Sequence, residues 1–152
     1  MRKNMKKIVC VTFALLLAFS CTIPVMAQVN TANETGITPR YSHCSRCTTM
    51  FSIDDAGVAA VSVRYIGYED TFSQAKVTVQ IQKRFLGLFW KTVDIGYAND
   101  EWVAYSTEVN GLFYNTFSVN GTGTYRANFI VEIQGTDGTV DVIEDTIEHK
   151  HS

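Results

Sequence analysis

Residues 58–68 read VAAVSVRYIGY, and the alternation in this stretch decides the fold. Ala59, Val61, Val63 and Tyr65 fall on one face, and Ser62 and Arg64 on the other. Side chains of an extended chain point alternately to opposite sides, so the pattern is that of a strand with one face buried. Two further stretches repeat it. Residues 75–83, AKVTVQIQK, turn Val77, Val79 and Ile81 inward and Lys76, Thr78, Gln80 and Gln82 outward. Residues 124–134, TYRANFIVEIQ, set Tyr125, Ala127, Phe129, Val131 and Ile133 against Arg126, Asn128 and Glu132. Weaker strand candidates are TTMFSI (48–53), WKTVDI (90–95), EWVAYSTEV (101–109), FYNTFSV (113–119) and TVDVIEDTI (139–147).

No apolar stripe of period 3.6 runs far enough for a substantial helix. Asp137-Gly138 predicts a hairpin of type I′, and Asn110-Gly111 and Asn120-Gly121 mark two more bends. Seven or eight short strands, each with one inward face, bury those faces best as two sheets packed together. The expected fold is an antiparallel two-sheet β-sandwich of immunoglobulin-like, Greek-key type, with a small closed barrel as the alternative.

The N-terminus has Arg2, Lys3, Lys6 and Lys7 ahead of an apolar run from Ile8 to Phe19, then Pro24 and the small-residue site Val25-Met26-Ala27. This is the pattern of a secretory signal peptide, residues 1–27, cut between Ala27 and Gln28. A retained membrane anchor is the alternative, since Ile8 to Ala27 carries no charge and approaches the length that spans a bilayer. Residues 28–40, QVNTANETGITPR, are polar and aperiodic and read as a flexible leader. Residues 41–152 are then one domain, secreted and acting at or outside the cell envelope. The signal segment removes four of the 13 basic residues and none of the 15 acidic ones. The exported chain therefore has a net charge of −6, which gives no electrostatic footprint for nucleic acid.

Taken together, SIDDAGVAAVSVRYIGY, VTVQIQKRFLGLFWKTVDIG and GTGTYRANFIVEI resemble a family of small secreted proteins of Gram-positive anaerobes known as a domain of unknown function. The resemblance spans about Ile37 to Ile147. It implies a secreted single-domain β-sandwich, and it implies no catalytic residue.

Cys44 and Cys47 are the cysteines left after cleavage, at C-x-x-C spacing. Three readings compete. Zinc would need Cys44 and Cys47 with His149 and His151, which requires the first and last strands to be neighbours and the chain end to be ordered. Redox chemistry needs the first thiol at a helix N-terminus, whereas a strand follows here. A disulfide staple is favoured, and it demands a turn at Ser45-Arg46, because bridged Cα atoms lie within about 7 Å.

Residues 83–91, KRFLGLFWK, place Phe85, Leu86, Leu88, Phe89 and Trp90 where turn residues such as Asn, Asp and Ser are usual. Either Leu86, Phe89 and Trp90 plug one end of the sandwich, or the segment offers a surface to a partner or a membrane interface. Phe85, Leu88, Phe89, Trp90 and Trp102 are the candidate binding residues, with aromatic rings able to stack on a glycan. Paired acids such as Asp54-Asp55 read as solvated loops. The histidines sit at the ends of the exported chain and no G-x-S-x-G is present, so no triad is supported. The expected function is non-enzymatic binding of a glycan or protein, without cofactor; a membrane-active or toxin-like factor using residues 85–90 is the alternative, and a zinc-binding module the second.

Overall fold

A computed structural model describes residues 41–152. The expected signal segment and leader lie outside the described residues. Eight strands follow in order: β1 (Cys44–Ile53), β2 (Val58–Gly67), β3 (Phe72–Phe85), β4 (Phe89–Thr92), β5 (Glu101–Ser106), β6 (Asn110–Ser118), β7 (Gly123–Gly135) and β8 (Val140–His151). Each contains or overlaps one of the stretches singled out above.

Sheet A has the order β1-β2-β6. Sheet B has the order β4-β3-β7-β8, with β5 pairing β3 on the same side as β4. Every pairing is antiparallel. The chain thus crosses between sheets after β2, β5 and β6, and a three-strand layer faces a layer that continues through β3, β7 and β8. This is the strand order of immunoglobulin-like sandwiches. A second feature of that class is present: Tyr125, at the start of β7 and fully buried, donates its hydroxyl hydrogen to the carbonyls of Asn120 (2.6 Å) and Gly121 (2.7 Å). Such a tyrosine corner fixes the crossover between the sheets. Tyr125→Phe is expected to cost about 1 kcal/mol, lowering Tm by roughly 4 °C for a domain of this size, as thermal melts would show.

The inward faces are those that the alternation predicts. Ala59, Val61, Val63 and Tyr65 of β2, Val77, Val79 and Ile81 of β3, and Tyr125, Ala127, Phe129, Val131 and Ile133 of β7 are all buried. Phe51 and Ile53 of β1 and Phe113 and Phe117 of β6 complete the core between the sheets. Each large side chain so enclosed contributes on the order of 1.5–3 kcal/mol through the water it sheds.

Two turn expectations change. Asn110-Gly111 is not a bend but the start of β6. Gly111 is needed there because a Cβ would sit 2.5 Å from the Tyr65 hydroxyl oxygen. The β7–β8 hairpin forms, but Gly138 has positive φ and Asp137 does not. Gly138 N–H donates to Gly135 O, and Gly135 N–H donates to Thr139 O. A type I turn closed by a left-handed glycine therefore replaces the expected type I′.

Strand directions gather the loops at two ends. Residues 54–57, 86–88, 119–122 and the last residues of β8 share one end, called here the hairpin end. Residues 68–71, 107–109 and 136–139 share the other.

Candidate functional site

The β3–β4 hairpin extends beyond the core. Phe85 pairs with Phe89 and Arg84 with Trp90. Leu88 N–H closes the turn on Phe85 O at 3.0 Å, with Leu86 at φ 50° and Gly87 at φ 69° in the centre. Positive φ at both central positions matches the right-handed twist of the strands, but leucine pays sterically for a conformation that Gly or Asn adopts readily. Phe85, Leu86, Leu88 and Phe89 are between 52% and 77% exposed, and the two phenyl rings stack at 5.9 Å. They do not plug the sandwich. Neither packing nor turn geometry accounts for this composition.

Cations surround the apolar tip. Trp90, half-buried on the outer face of sheet B, lies under the guanidinium of Arg126 at 4.3 Å and beside that of Arg84 at 5.7 Å. Arg84 Nε donates to Gly87 O and so braces the turn; Arg126 Nε donates to Gln82. Lys83 Nζ donates to Asn120 O at 2.9 Å. A depression of about 310 Å³ is lined by Lys83, Arg84, Phe85, Lys91, Thr92 and Val93.

The charge of the molecule is polarised accordingly. Lys83, Arg84, Lys91, Arg126 and Lys150, at or near the hairpin end, are five of the eight Lys and Arg residues between 41 and 152. Asp54, Asp55 and Glu148 are the acids there, and Asp94, Asp100 and Glu101 lie just below on the β4–β5 edge, where Glu101 pairs with Gln80. The loops at the opposite end hold Glu69, Asp70, Glu108 and Asp137 and no Lys or Arg. Of the paired acids, Asp54 has a local role: its Oδ1 accepts from the N–H groups of Ala56 and Val58 and caps its own turn.

Trp102, expected at a binding surface, is a core residue. It is 7% exposed and meets Phe117 edge-on at 6.1 Å. β5 turns it inward because Val79, its partner on β3, is inward too.

The bridge expected between Cys44 and Cys47 is not made, and both thiols are free. Instead of a turn, β1 has a bulge: the register slips between Cys44 and Arg46, leaving Ser45 as the extra residue. The bulge turns Cys44 into the core, where its Sγ–H donates to Arg46 O. Burial, and secondarily the neighbouring Cys44 and Asp145, pushes the Cys47 thiol up to about 12 from an ordinary 9.0. Burial also raises Cys44. Thiolate is the nucleophile, so neither sulfur is poised for redox exchange. Both sulfurs should resist iodoacetamide at pH 8 in the native state and react after unfolding, as intact mass would show. Because folding favours the neutral Cys47, its contribution to stability is complete below pH 9 and is lost as pH climbs toward 12.

The zinc geometry is half met. β8 runs as ordered strand to His151 and lies beside β1, where Thr49 Oγ1 donates to Asp145 and Phe51 meets the His149 ring edge-on at 6.3 Å. The register keeps the two ligand pairs apart. Cys47 lies near Asp145, whereas His149 lies level with Phe51, four residues or about 13 Å farther along β1. Among the described residues no group of three or more His, Cys, Asp or Glu side chains is placed to hold a metal ion.

His43, which the sequence reading passed over, is buried between the sheets' edges. Its backbone N–H and that of Ser42 donate to the Asp141 carboxylate at 2.6 and 3.0 Å. Thr139 donates its hydroxyl hydrogen to Asp137, so the oxygen is left to accept from His43 Nε2–H at 2.6 Å. Those bonds from Thr139 hold the Asp137 carboxyl below its usual range. His43 Nδ1 is buried without a partner. The arrangement is a clasp between the start of β1 and the β7–β8 turn, made across a separation of 96 residues that no local pattern signals.

Comparison of the chain with family models, curated proteins and solved structures gives no match.

Proposed function

We propose that the chain is a secreted, non-enzymatic binding protein that docks by its β3–β4 hairpin on a bilayer surface carrying anionic lipid. The observation that carries this reading is the tip itself, where a strained, exposed Leu86 sits between a stacked Phe85–Phe89 pair and Leu88 within a ring of Lys83, Arg84, Lys91 and Arg126. Apolar side chains inserted at the acyl boundary gain up to about 1.5–3 kcal/mol each. Each Lys or Arg held near an anionic surface adds about 1 kcal/mol. Trp90 under Arg126 suits the interface, where a ring with one polar neighbour can lie level with the headgroups. The net acidity of the rest of the chain opposes approach, so attachment is reversible and salt-dependent. The signal-like N-terminus and the resemblance to secreted proteins support an extracytoplasmic site of action. Glycan stacking has less support: Trp102 is in the core, and Arg126 lies over the Trp90 ring.

The test is flotation of the exported chain with vesicles. Wild type is expected to float with phosphatidylcholine–phosphatidylglycerol vesicles at low salt, and to stay behind with pure phosphatidylcholine or at high salt. The triple variant Phe85→Ser, Leu88→Ser, Phe89→Ser is expected to melt like wild type and to float under no condition. Equal flotation of that variant would overturn the hairpin as the contact. Absence of wild-type flotation, with hairpin-dependent retention on intact cell envelopes, would overturn the lipid and point to a protein partner.

A further inference from the structure

β6 is an edge strand of sheet A, paired with β2 on one side only. Gly67 N–H donates to Val109 O and Val119 N–H donates to Gly57 O. The alternation of antiparallel ladders therefore gives the odd residues of β6 to β2 and turns the backbone groups of Leu112, Tyr114 and Thr116 toward the free edge. Thr116 N–H is met by the neighbouring Asn115 side chain. Leu112 and Tyr114 have side chains 58% and 61% exposed and edge groups open to a new strand.

Such an edge is normally guarded by charge, shortness or a cover. The others here are. β8 carries Asp141, Glu144, Asp145, Glu148 and Lys150. The edge of β1 lies against Asp141 and Asp145. The remaining edge of sheet B is broken into β4 and β5, of four and six residues. β6 is neither short nor charged, and no charged residue occurs anywhere from Val109 to Tyr125; Tyr97 of the β4–β5 loop meets it only at Asn115 and Phe117, on the inner face.

We infer that β6 is a self-association surface, pairing antiparallel with β6 of a second copy of this chain. The register that uses the whole strand puts the two-fold axis at Tyr114, with Leu112 opposite the partner's Thr116. An uncharged strand meets itself without like charges opposed. The polarity of the molecule selects the direction. Glu108 precedes β6 at the acidic end, and Lys83 is held on Asn120 and Gly121 just past its other end. Antiparallel pairing sets the acidic end of each copy beside the basic end of the other, whereas a parallel arrangement would align like with like. The interface is isologous and closes as a dimer.

Sedimentation velocity of the exported chain without lipid, joined to amide hydrogen exchange, tests this. Wild type should sediment as a dimer with slow exchange at Leu112 and Tyr114. Tyr114→Lys, which opposes two ammonium groups on the axis, should be monomeric, exchange fast at Leu112, and melt like wild type diluted until its dimer dissociates, because the side chain is exposed in the single copy and only the dimer's contribution is lost. Tyr114→Pro should behave alike, since the N–H it removes is outside the ladder with β2. A wild type that is monomeric over a wide concentration range, or a dimer that survives both substitutions, would overturn the inference.

Discussion

Trp102→Ala is expected to destabilise the protein by about 3–5 kcal/mol, the usual cost of deleting a large aromatic side chain from a core, while Trp90→Ala costs no more than about 1 kcal/mol, the value of an exposed cation–π contact. The two tryptophans lie on successive strands of one sheet edge and differ in face and in height, Trp90 being paired with Arg84 and Trp102 with Val79. Trp102 packs on Phe117, which is also met edge-on by Tyr97, so its removal opens the side of the sandwich between β5 and β6. Trp90 touches two arginines on the outer face and leaves no cavity. Urea denaturation of both variants reads the difference. Equal costs would mean that Trp90 is part of the core and that the hairpin is packed rather than presented.

Gly135→Ala is the second large effect. A Cβ at this position would meet the His43 ring, with Nδ1 at 2.6 Å, and His43 is too enclosed to move aside without leaving its site. Overpacking of this kind costs about 1–3 kcal/mol, and a displaced imidazole gives up its bond to Thr139 as well, about 1 kcal/mol more. His43→Ala alone should also destabilise, by loss of the clasp. The double variant His43→Ala, Gly135→Ala should be clearly less damaged than the sum, because the added methyl then has room. Additive costs would show that the ring and the glycine are not in contact.

The core strands were legible because their chemistry is local. Val61 and Val63, Val77 and Val79, and Tyr125 and Ala127 alternate with polar neighbours, and that period survives in the fold. Hairpin exposure was legible only as a choice between plug and patch, since composition alone does not say whether Leu86 turns inward. Its positive φ and its solvent exposure decide that. Trp102 was misplaced for a related reason: a weakly alternating strand such as EWVAYSTEV leaves its inward face open until Val79 is known to be its partner. The cysteine spacing suggested a turn, but a one-residue bulge at Ser45 brings both sulfurs inward without one. His43 was illegible, because Thr139, Asp141 and Gly135 reach it only through the final topology. The unguarded edge of β6 was written in the sequence as an uncharged run, yet it acquires meaning only once β6 is known to be an edge.

The central claim, insertion of the β3–β4 hairpin into an anionic bilayer, is tested most directly by fluorescence quenching with brominated phosphatidylglycerol. Trp90 lies one residue from the tip, and Trp102 is shielded in the core, so the difference between wild type and Trp90→Phe isolates the Trp90 signal. The account predicts that bromines near the top of the acyl chains quench Trp90 strongly, that bromines near the chain ends quench it weakly, and that high salt abolishes both. Vesicle-bound protein whose Trp90 emission is untouched by bromine at any depth would contradict it.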